Sequence, residues 1–190
     1  MRPLPARSPL LPYVEACRSI LLYWFARTED VWTQMARALP PSVVGAKLTS
    51  LADLIQNVYF TDCVKCESQE KDIKHHRDHT ARCLRDEFAL LKRSVLIITV
   101  GGEAWDTIRG LAGPLSPVPW NYQHLKSTAP RADSSLMDVH GVLFENPATS
   151  RFVIPLTFPG GRINALRNSY IEYLEEGLAA LAGHYALMRN

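Results

Sequence analysis

The sequence predicts an α/β domain built around a short, mainly parallel sheet. An apolar run of strand length at residues 95–100 is typical of a buried parallel strand. It ends at Gly101-Gly102, which predict a turn into a helix over residues 103–111. With a strand predicted at residues 58–64 and a helix at residues 78–91, strands and helices alternate here. That order is typical of the middle of α/β domains that handle nucleotides or bases.

Length and composition limit the possible classes of protein. The chain has 190 residues, 47% of them hydrophobic, which predicts one domain over residues 13–190 after an extended or disordered segment at residues 1–12. A net charge of +2 is too small to indicate a polyanionic partner by itself. Without a long apolar run or an export signal, we expect no membrane partner, reduced cysteines and an intracellular location, cytoplasmic or nucleoid-associated.

The first sixty residues leave one alternative open. Apolar residues at helical spacing predict a helix over residues 13–39, which Pro40-Pro41 would stop. The alternative is a buried strand at residues 20–25 with a helix at residues 28–39. Residues 50–56 then predict a short helix that leads into the strand at residues 58–64.

The second half of the chain has clearer boundaries. Residues 113–131 are proline-rich and predict a loop. Residues 139–145 and 151–156 flank the turn NPATS and predict a hairpin. Residues 164–187 are apolar at helical spacing and predict a long amphipathic helix.

Three cysteines and one histidine have a spacing close to that of zinc ligands. They are Cys63, Cys66, His79 and Cys83, in the pattern C-x2-C-x12-H-x3-C. Zinc accepts three sulphur ligands and one nitrogen ligand tetrahedrally, so this set predicts a zinc site. The alternative for Cys63 is a small apolar side chain packed in the core.

Several segments together resemble the uracil-DNA glycosylase superfamily, most closely its iron–sulphur branch. That branch has a strand like VYITNVVKC, a cysteine that opens a helix, a strand with a turn of the form LGxxA, an RG strand start, a strand leading into an HPS-type loop, and a terminal helix. The corresponding segments here are VYFTDCVKC, CLRDEFALL, VLIITVGGEAW, Val139-His140-Gly141, VIPLTFPGGRIN and the final helix.

The resemblance covers about residues 51–181. It implies a three-layer α/β/α sandwich with a short, mainly parallel central sheet. The ligand cleft of such a fold lies at the carboxyl ends of the strands.

The resemblance also implies catalytic roles, and the residues here differ from the family. Asp62 stands where an asparagine reads the flipped base; a carboxylate only accepts hydrogen bonds, so it suits the exocyclic amine of cytosine. The alternative is that Asp62 caps the end of a strand or pairs with a lysine. If residues 20–25 are the first strand, Glu29 or Asp30 would handle the attacking water. Phe158 or Thr157 replaces the histidine of the HPS-type loop, and losing such a donor costs about 10²–10³ in rate.

The same comparison implies a surface that contacts phosphates. It consists of the glycine turn and the HPS-type loop, with basic side chains beside them, and we expect weak, salt-sensitive and sequence-independent DNA binding. The residues are Gly101, Gly102, Phe158, Pro159, Gly160, Gly161, Arg162 and Arg167.

In the iron–sulphur branch, two cluster ligands match Cys66 and Cys83, while the other two come from an N-terminal pair that this chain lacks. The cofactor is then zinc, completed by Cys63 and His79, or a remnant iron–sulphur site; the alternative is no cofactor, with Cys66 and Cys83 as a structural thiol pair. The expected function is that of a divergent uracil-DNA-glycosylase-like protein that binds DNA or excises a damaged or deaminated base. The alternative is a degenerate member kept for binding nucleic acid or protein.

Overall fold

The computed structural model describes residues 29–59, 61, 84–88, 96–125, 130–157 and 170–188. Residues 84–88 are helical within that portion. The other helices are α1 (Glu29–Ala38), α2 (Pro41–Val44), α3 (Leu51–Asn57), α4 (Gly102–Leu111), α5 (Leu136–Val139) and α6 (Tyr170–Met188). The strands are β1 (Leu96–Val100), β2 (Ser116–Pro117), β3 (Phe144–Asn146) and β4 (Arg151–Leu156).

The described strands form one four-stranded sheet in the order β1-β4-β3-β2. Strands β1 and β4 are parallel, with Leu96 opposite Phe152 and Val100 opposite Leu156. The β3–β4 and β2–β3 pairs are antiparallel. The fold class is therefore mixed α/β, as predicted.

The prediction of a mainly parallel sheet is wrong for the described strands, because only one of their three pairings is parallel. The physical cause is the tight turn between β3 and β4. A connection this short can join only antiparallel neighbours, whereas parallel strands need a crossover. In that turn, the Asn146 carbonyl accepts from Ser150 N–H at 2.9 Å, and Ser150 has a left-handed φ of 53°.

The hairpin itself is confirmed, but its first strand is shorter than the predicted residues 139–145. Val139 ends helix α5, and the strand begins only at Phe144. Gly141 separates the two elements with a φ of 79°, which favours glycine because a side chain strains that backbone conformation.

The predicted short helix near residue 50 is confirmed as α3, and its start has a local cause. The Ser50 hydroxyl accepts from Asp53 N–H at 3.1 Å, and the Asp53 carboxylate accepts from Ser50 N–H at 3.1 Å. This reciprocal capping box satisfies two backbone donors that a helix start otherwise leaves unpaired. Hydrogen bonds to the Asp53 carboxylate, first from Thr49 and then from Ser50, lower the pKa of Asp53.

The strand predicted at residues 58–64 is not borne out where the structure describes it. Val58 is extended (φ −118°, ψ 135°), yet residues 58, 59 and 61 are not strand residues. Residues 60 and 62–64 lie outside the described residues, as do residues 1–28, which include the alternative strand at 20–25. Thr61 Oγ1 instead donates to Glu87 Oε2 at 2.6 Å, which links this segment to the helical residues 84–88.

The predicted strand at residues 95–100, the following helix and the long C-terminal helix are confirmed as β1, α4 and α6, within a few residues of the expected ends. Residues 164–169 lie outside the described residues. Strand β4 forms the centre of the core. The buried side chains of β4 and α6 include Phe152, Val153, Ile154, Leu156, Leu174, Leu178 and Leu181, each at most 5% exposed.

Candidate functional site

The glycine turn after β1 lies beside the end of β4. Because the two strands are parallel, their carboxyl ends meet at one edge of the sheet. Gly101 N–H donates to the Leu156 carbonyl at 2.8 Å, so the turn continues the strand pairing by one residue. Gly101 has φ 93° and ψ 161°, a conformation that favours glycine, and it caps the start of α4. This edge is where open α/β sheets bind ligands.

A buried histidine lies at the same edge. The His140 side chain is 1% exposed, and its Nδ1 accepts from Thr157 N–H at 3.0 Å. The next residue, Gly141, donates its N–H to the Pro155 carbonyl at 2.8 Å. These two hydrogen bonds attach the His140-Gly141 segment to the last residues of the strand and to the residue that follows it.

The hydrogen bond to Thr157 determines where His140 carries its proton. A backbone N–H only donates, so Nδ1 must accept and the neutral ring is protonated at Nε2. Burial and the nearby charge of His124 lower the pKa of His140 to about 4, and the Pro155 carbonyl only partly offsets these effects. His140 is therefore neutral at pH 7 and offers one N–H donor, at Nε2.

A second histidine holds the first in position. His124 Nδ1 lies 2.5 Å from Glu176 Oε2, and His124 Nε2 lies 2.6 Å from the His140 carbonyl oxygen. A carbonyl only accepts, so Nε2 must donate, and a further proton must lie between Nδ1 and the carboxylate. The His124 ring also stacks on Tyr173, with centroids 4.0 Å apart. The loop that carries His124 is thereby fastened to α6.

Two glycines allow the His140-Gly141 segment to touch α6 through backbone atoms. A Cβ added at Gly141 would lie 2.6 Å from the Tyr173 carbonyl oxygen, and one added at Gly177 would lie 2.6 Å from the Gly141 carbonyl oxygen. Real Cβ atoms do not approach this closely. The position of His140 therefore depends on the absence of side chains at both residues.

Tyr122 supports the start of the hairpin through a buried hydroxyl. The hydroxyl accepts from Leu143 N–H at 3.0 Å and donates to the Val118 carbonyl at 3.4 Å. Burial is the main cause that raises its pKa to about 12, so the hydroxyl stays protonated at neutral pH.

We expect Tyr122→Phe to lower the free energy of unfolding by about 1–3 kcal/mol, because it leaves a buried N–H and a buried carbonyl without their partner. Urea unfolding followed by circular dichroism measures the change. An unchanged midpoint would contradict the hydrogen bonding described for this hydroxyl.

Tyr170 contrasts with Tyr122 because its buried hydroxyl has no partner. Among the described residues, neither Tyr170 OH nor His140 Nε2 makes a hydrogen bond. Both side chains are 1% exposed, and their ring centroids lie 5.5 Å apart. Burial raises the pKa of Tyr170, so its hydroxyl also keeps its proton. Leaving a buried polar group unsatisfied typically costs about 1–3 kcal/mol, so two such groups side by side need an explanation.

The structure brings only part of the predicted site together. Gly101 and Gly102 lie at the carboxyl end of β1, and their contact with phosphates stays a prediction. Glu29 and Asp30 are the first residues of α1, and residues 26–28 before them lie outside the described residues. Carboxylates are favoured in a first helical turn by the helix dipole. Asp62, Phe158, Pro159, Gly160, Gly161, Arg162 and Arg167 lie outside the described residues.

The predicted metal ligands are likewise outside the described part of the chain. Cys63, Cys66, His79 and Cys83 all fall within residues 62–83. In the described ranges, no three His, Cys, Asp or Glu side chains are grouped so that they could hold a metal ion. The zinc or iron–sulphur site stays a prediction.

Sequence reasoning did not find the roles of His124, Glu176 and Tyr170. His124 bonds to partners 16 and 52 residues away, and no local pattern relates residues so far apart. The sequence did indicate His140-Gly141 as a strand start, but no sequence pattern predicts the hydrogen bond between His140 and Thr157.

No family model, curated protein or solved structure matches this chain. No helix in the described ranges has the length and apolar content needed to cross a membrane.

Proposed function

We propose that this protein is a divergent member of the uracil-DNA glycosylase superfamily that binds DNA and receives a base at the carboxyl ends of β1 and β4. The observation that carries the proposal is the parallel β1–β4 pair. It places the Gly101 turn next to Leu156, which lies two residues before Phe158, where the predicted phosphate-contacting loop begins in the sequence. In this proposal, the glycine turn and that loop contact DNA together.

The order of the described elements agrees with the proposal. A strand ends in a glycine turn and a helix, and a hairpin then leads into a second strand and a long final helix. His140-Gly141 precedes the hairpin and contacts the end of β4, at the position that the resemblance gives to the RG strand start.

The packing of β4 supports the three-layer arrangement that we propose for the whole domain. Successive strand residues point to opposite faces of a sheet. Val153 lies opposite Phe144, whose ring packs 5.3 Å from that of Trp105 on α4. Ile154 points the other way, and its side chain lies close to Gly177 on α6. Helices α4 and α6 therefore pack against opposite faces of these strands.

We propose that this protein binds DNA but excises bases inefficiently. Phe158 or Thr157 replaces the histidine that would stabilise the leaving base, and a lost donor of this kind costs about 10²–10³ in rate. Asp62 further favours cytosine over uracil, because a carboxylate offers no donor to a carbonyl. The alternative, a degenerate member that binds a protein partner, predicts no DNA binding at any salt concentration.

We expect Arg162→Ala and Arg167→Ala each to weaken DNA binding and to lower the slope of log K against log salt concentration by about 1, because each removes one phosphate contact. Fluorescence anisotropy on a labelled duplex between low and moderate salt measures both quantities. A strand-cleavage assay on uracil-, hypoxanthine- and mismatch-containing duplexes runs in parallel and reports any excision.

Arg131→Ala is the matched control because it removes the same charge elsewhere. The Arg131 side chain is 75% exposed and pairs with Asp133. The carbonyl of the neighbouring Ala132 accepts from Arg109, which lies near the end of α4 that is opposite the Gly101 turn. Arg131 is therefore far from the predicted surface, and Arg131→Ala should leave the salt slope unchanged. No DNA binding by the parent protein at low salt would overturn the proposal in favour of a protein-binding role. Equal effects of all three variants would mean that the predicted surface is wrong.

A further inference from the structure

We infer that residues 118–125, here called the strap, form a pH-sensitive connection between α6 and the His140-Gly141 segment. A proton shared by His124 and Glu176 fastens the His124 end of the strap, and rising pH releases that end. The two side chains come from the strap and from α6, and they are 8% and 23% exposed. Their contact is therefore little screened by solvent, while the carboxylate can still exchange a proton with water. The inference does not rest on the proposed function.

The hydrogen bonds of His124 require one proton more than a neutral imidazole carries. A neutral ring has a single N–H. If Nε2 carries it and donates to the His140 carbonyl at 2.6 Å, the Nδ1 lone pair faces the Glu176 carboxylate at 2.5 Å, as one acceptor against another. In the other tautomer, Nε2 and the His140 carbonyl are the opposing acceptors. Both contacts are attractive only while the pair holds the additional proton.

Three further titratable side chains face the His124 ring. Tyr173 on α6 stacks on it with centroids 4.0 Å apart, and Tyr122 in the strap lies 6.1 Å away, edge to face. Burial is the main cause that raises the pKa of Tyr122 to about 12, and burial followed by the charge of His124 lowers the pKa of His140 to about 4. Tyr122 and His140 are therefore uncharged between about pH 5 and pH 8, the range in which histidines ordinarily change charge.

The rest of the strap is attached by contacts that do not titrate in this range. Val118 N–H donates to the Leu143 carbonyl at 2.9 Å, and the Tyr122 hydroxyl accepts from Leu143 N–H at 3.0 Å. The Trp120 ring packs against Gly183 on α6, where an added Cβ would lie only 2.7 Å from it. Loss of the shared proton therefore releases the His124 end, while the Val118 end stays on the hairpin.

The test measures hydrogen exchange of single amides in the full chain between about pH 5 and pH 8. Leu125 N–H donates to the Tyr122 carbonyl and closes the turn that carries His124, so it reports on the released end. Val118 N–H reports on the end that stays attached. In the parent, we expect the protection factor of Leu125 to fall with rising pH, by up to about tenfold per pH unit for one released proton, while that of Val118 stays constant.

Glu176→Gln should remove this pH dependence without removing the contact. A glutamine amide can donate to Nδ1 of the neutral ring, so Nε2 keeps its hydrogen bond to His140 and no shared proton is needed. The Leu125 protection factor of this variant should stay constant over the same range. Glu175→Gln is the matched control, because it removes the same charge from an exposed neighbouring position on α6 and should behave as the parent does.

The ¹⁵N resonances of the His124 ring give a measurement that needs no variant. At the acidic end of the range, Nδ1 of the parent should be protonated or hydrogen-bonded, and it should lose this state as the pH rises. A free, unprotonated Nδ1 throughout, constant Leu125 protection in the parent, or an equal loss in Glu176→Gln would overturn the inference. So would a parallel loss at Val118, which would indicate unfolding of the whole domain. These experiments contain no DNA, so their outcome leaves the proposed function to its own test.

Discussion

Replacing Gly177 by alanine is expected to lower the free energy of unfolding by about 2 kcal/mol or more, although alanine is the better helix former by about 1 kcal/mol. The new methyl group would lie 2.6 Å from the Gly141 carbonyl oxygen and 3.1 Å from Ile154 Cδ1. A backbone carbonyl cannot rotate away as a side chain can. Helix α6 and the His140-Gly141 segment must therefore move apart, which shifts His140 relative to α6.

Gly110→Ala is the matched control for this substitution. Gly110 lies in helix α4, and a Cβ added there meets no atom within 4 Å. We expect it to be neutral or to raise the free energy of unfolding by up to about 1 kcal/mol, since alanine loses less backbone entropy. Urea unfolding of both variants measures the difference. Changes of the same sign in the two variants would contradict the close packing between Gly141 and α6.

Acidification is expected to destabilise the protein between about pH 6.5 and pH 4 because of His140. The pKa of this ring falls from 6.5 to about 4 on folding, through burial first and the charge of His124 second. In this window the unfolded chain binds a proton at His140 and the folded chain does not, so the free energy of unfolding falls as the pH falls. Across this window, the free energy of unfolding falls by up to about 3 kcal/mol.

The measurement is urea unfolding at several pH values for the parent and for His140→Gln. Glutamine can still accept from Thr157 N–H but does not titrate, so its stability should fall less steeply over this window. An NMR titration gives an independent check, in which the His140 ring should stay neutral down to about pH 5. A His140 that titrates near pH 6.5 would contradict its buried, neutral state.

Local sequence was sufficient to predict the elements whose causes are local. The apolar run and the glycines after it predicted β1 and the start of α4, because Gly101 takes a conformation that favours glycine. The helix that begins after Ser50 was predicted, although the capping role of Ser50 was not. The turn NPATS predicted the hairpin, because its residues favour a tight reversal between two apolar segments.

The sheet direction and the site could not be predicted in the same way. The sequence indicated where strands form. It did not indicate on which side of β4 the strands β1 and β3 lie, because that depends on which apolar faces are buried together. The mainly parallel sheet was expected from alternating strands and helices, whereas the described hairpin made most pairings antiparallel. The zinc ligands and the arginine loop stay predictions, since those residues lie outside the described part.

By itself, the sequence predicted α3, β1, the turn into α4 and the hairpin turn, because periodicity, turn residues and glycine conformations act over a few residues. Only the tertiary structure decided that His124, His140, Tyr170 and Glu176 meet at the carboxyl edge of the sheet. Their hydrogen bonds and ring contacts join residues 16 to 52 positions apart, and they form only after β4 and α6 bury their apolar faces against each other. The absence of a Cβ at Gly141 and Gly177 allows that close approach. A glycine in the sequence does not by itself predict which residue packs against it.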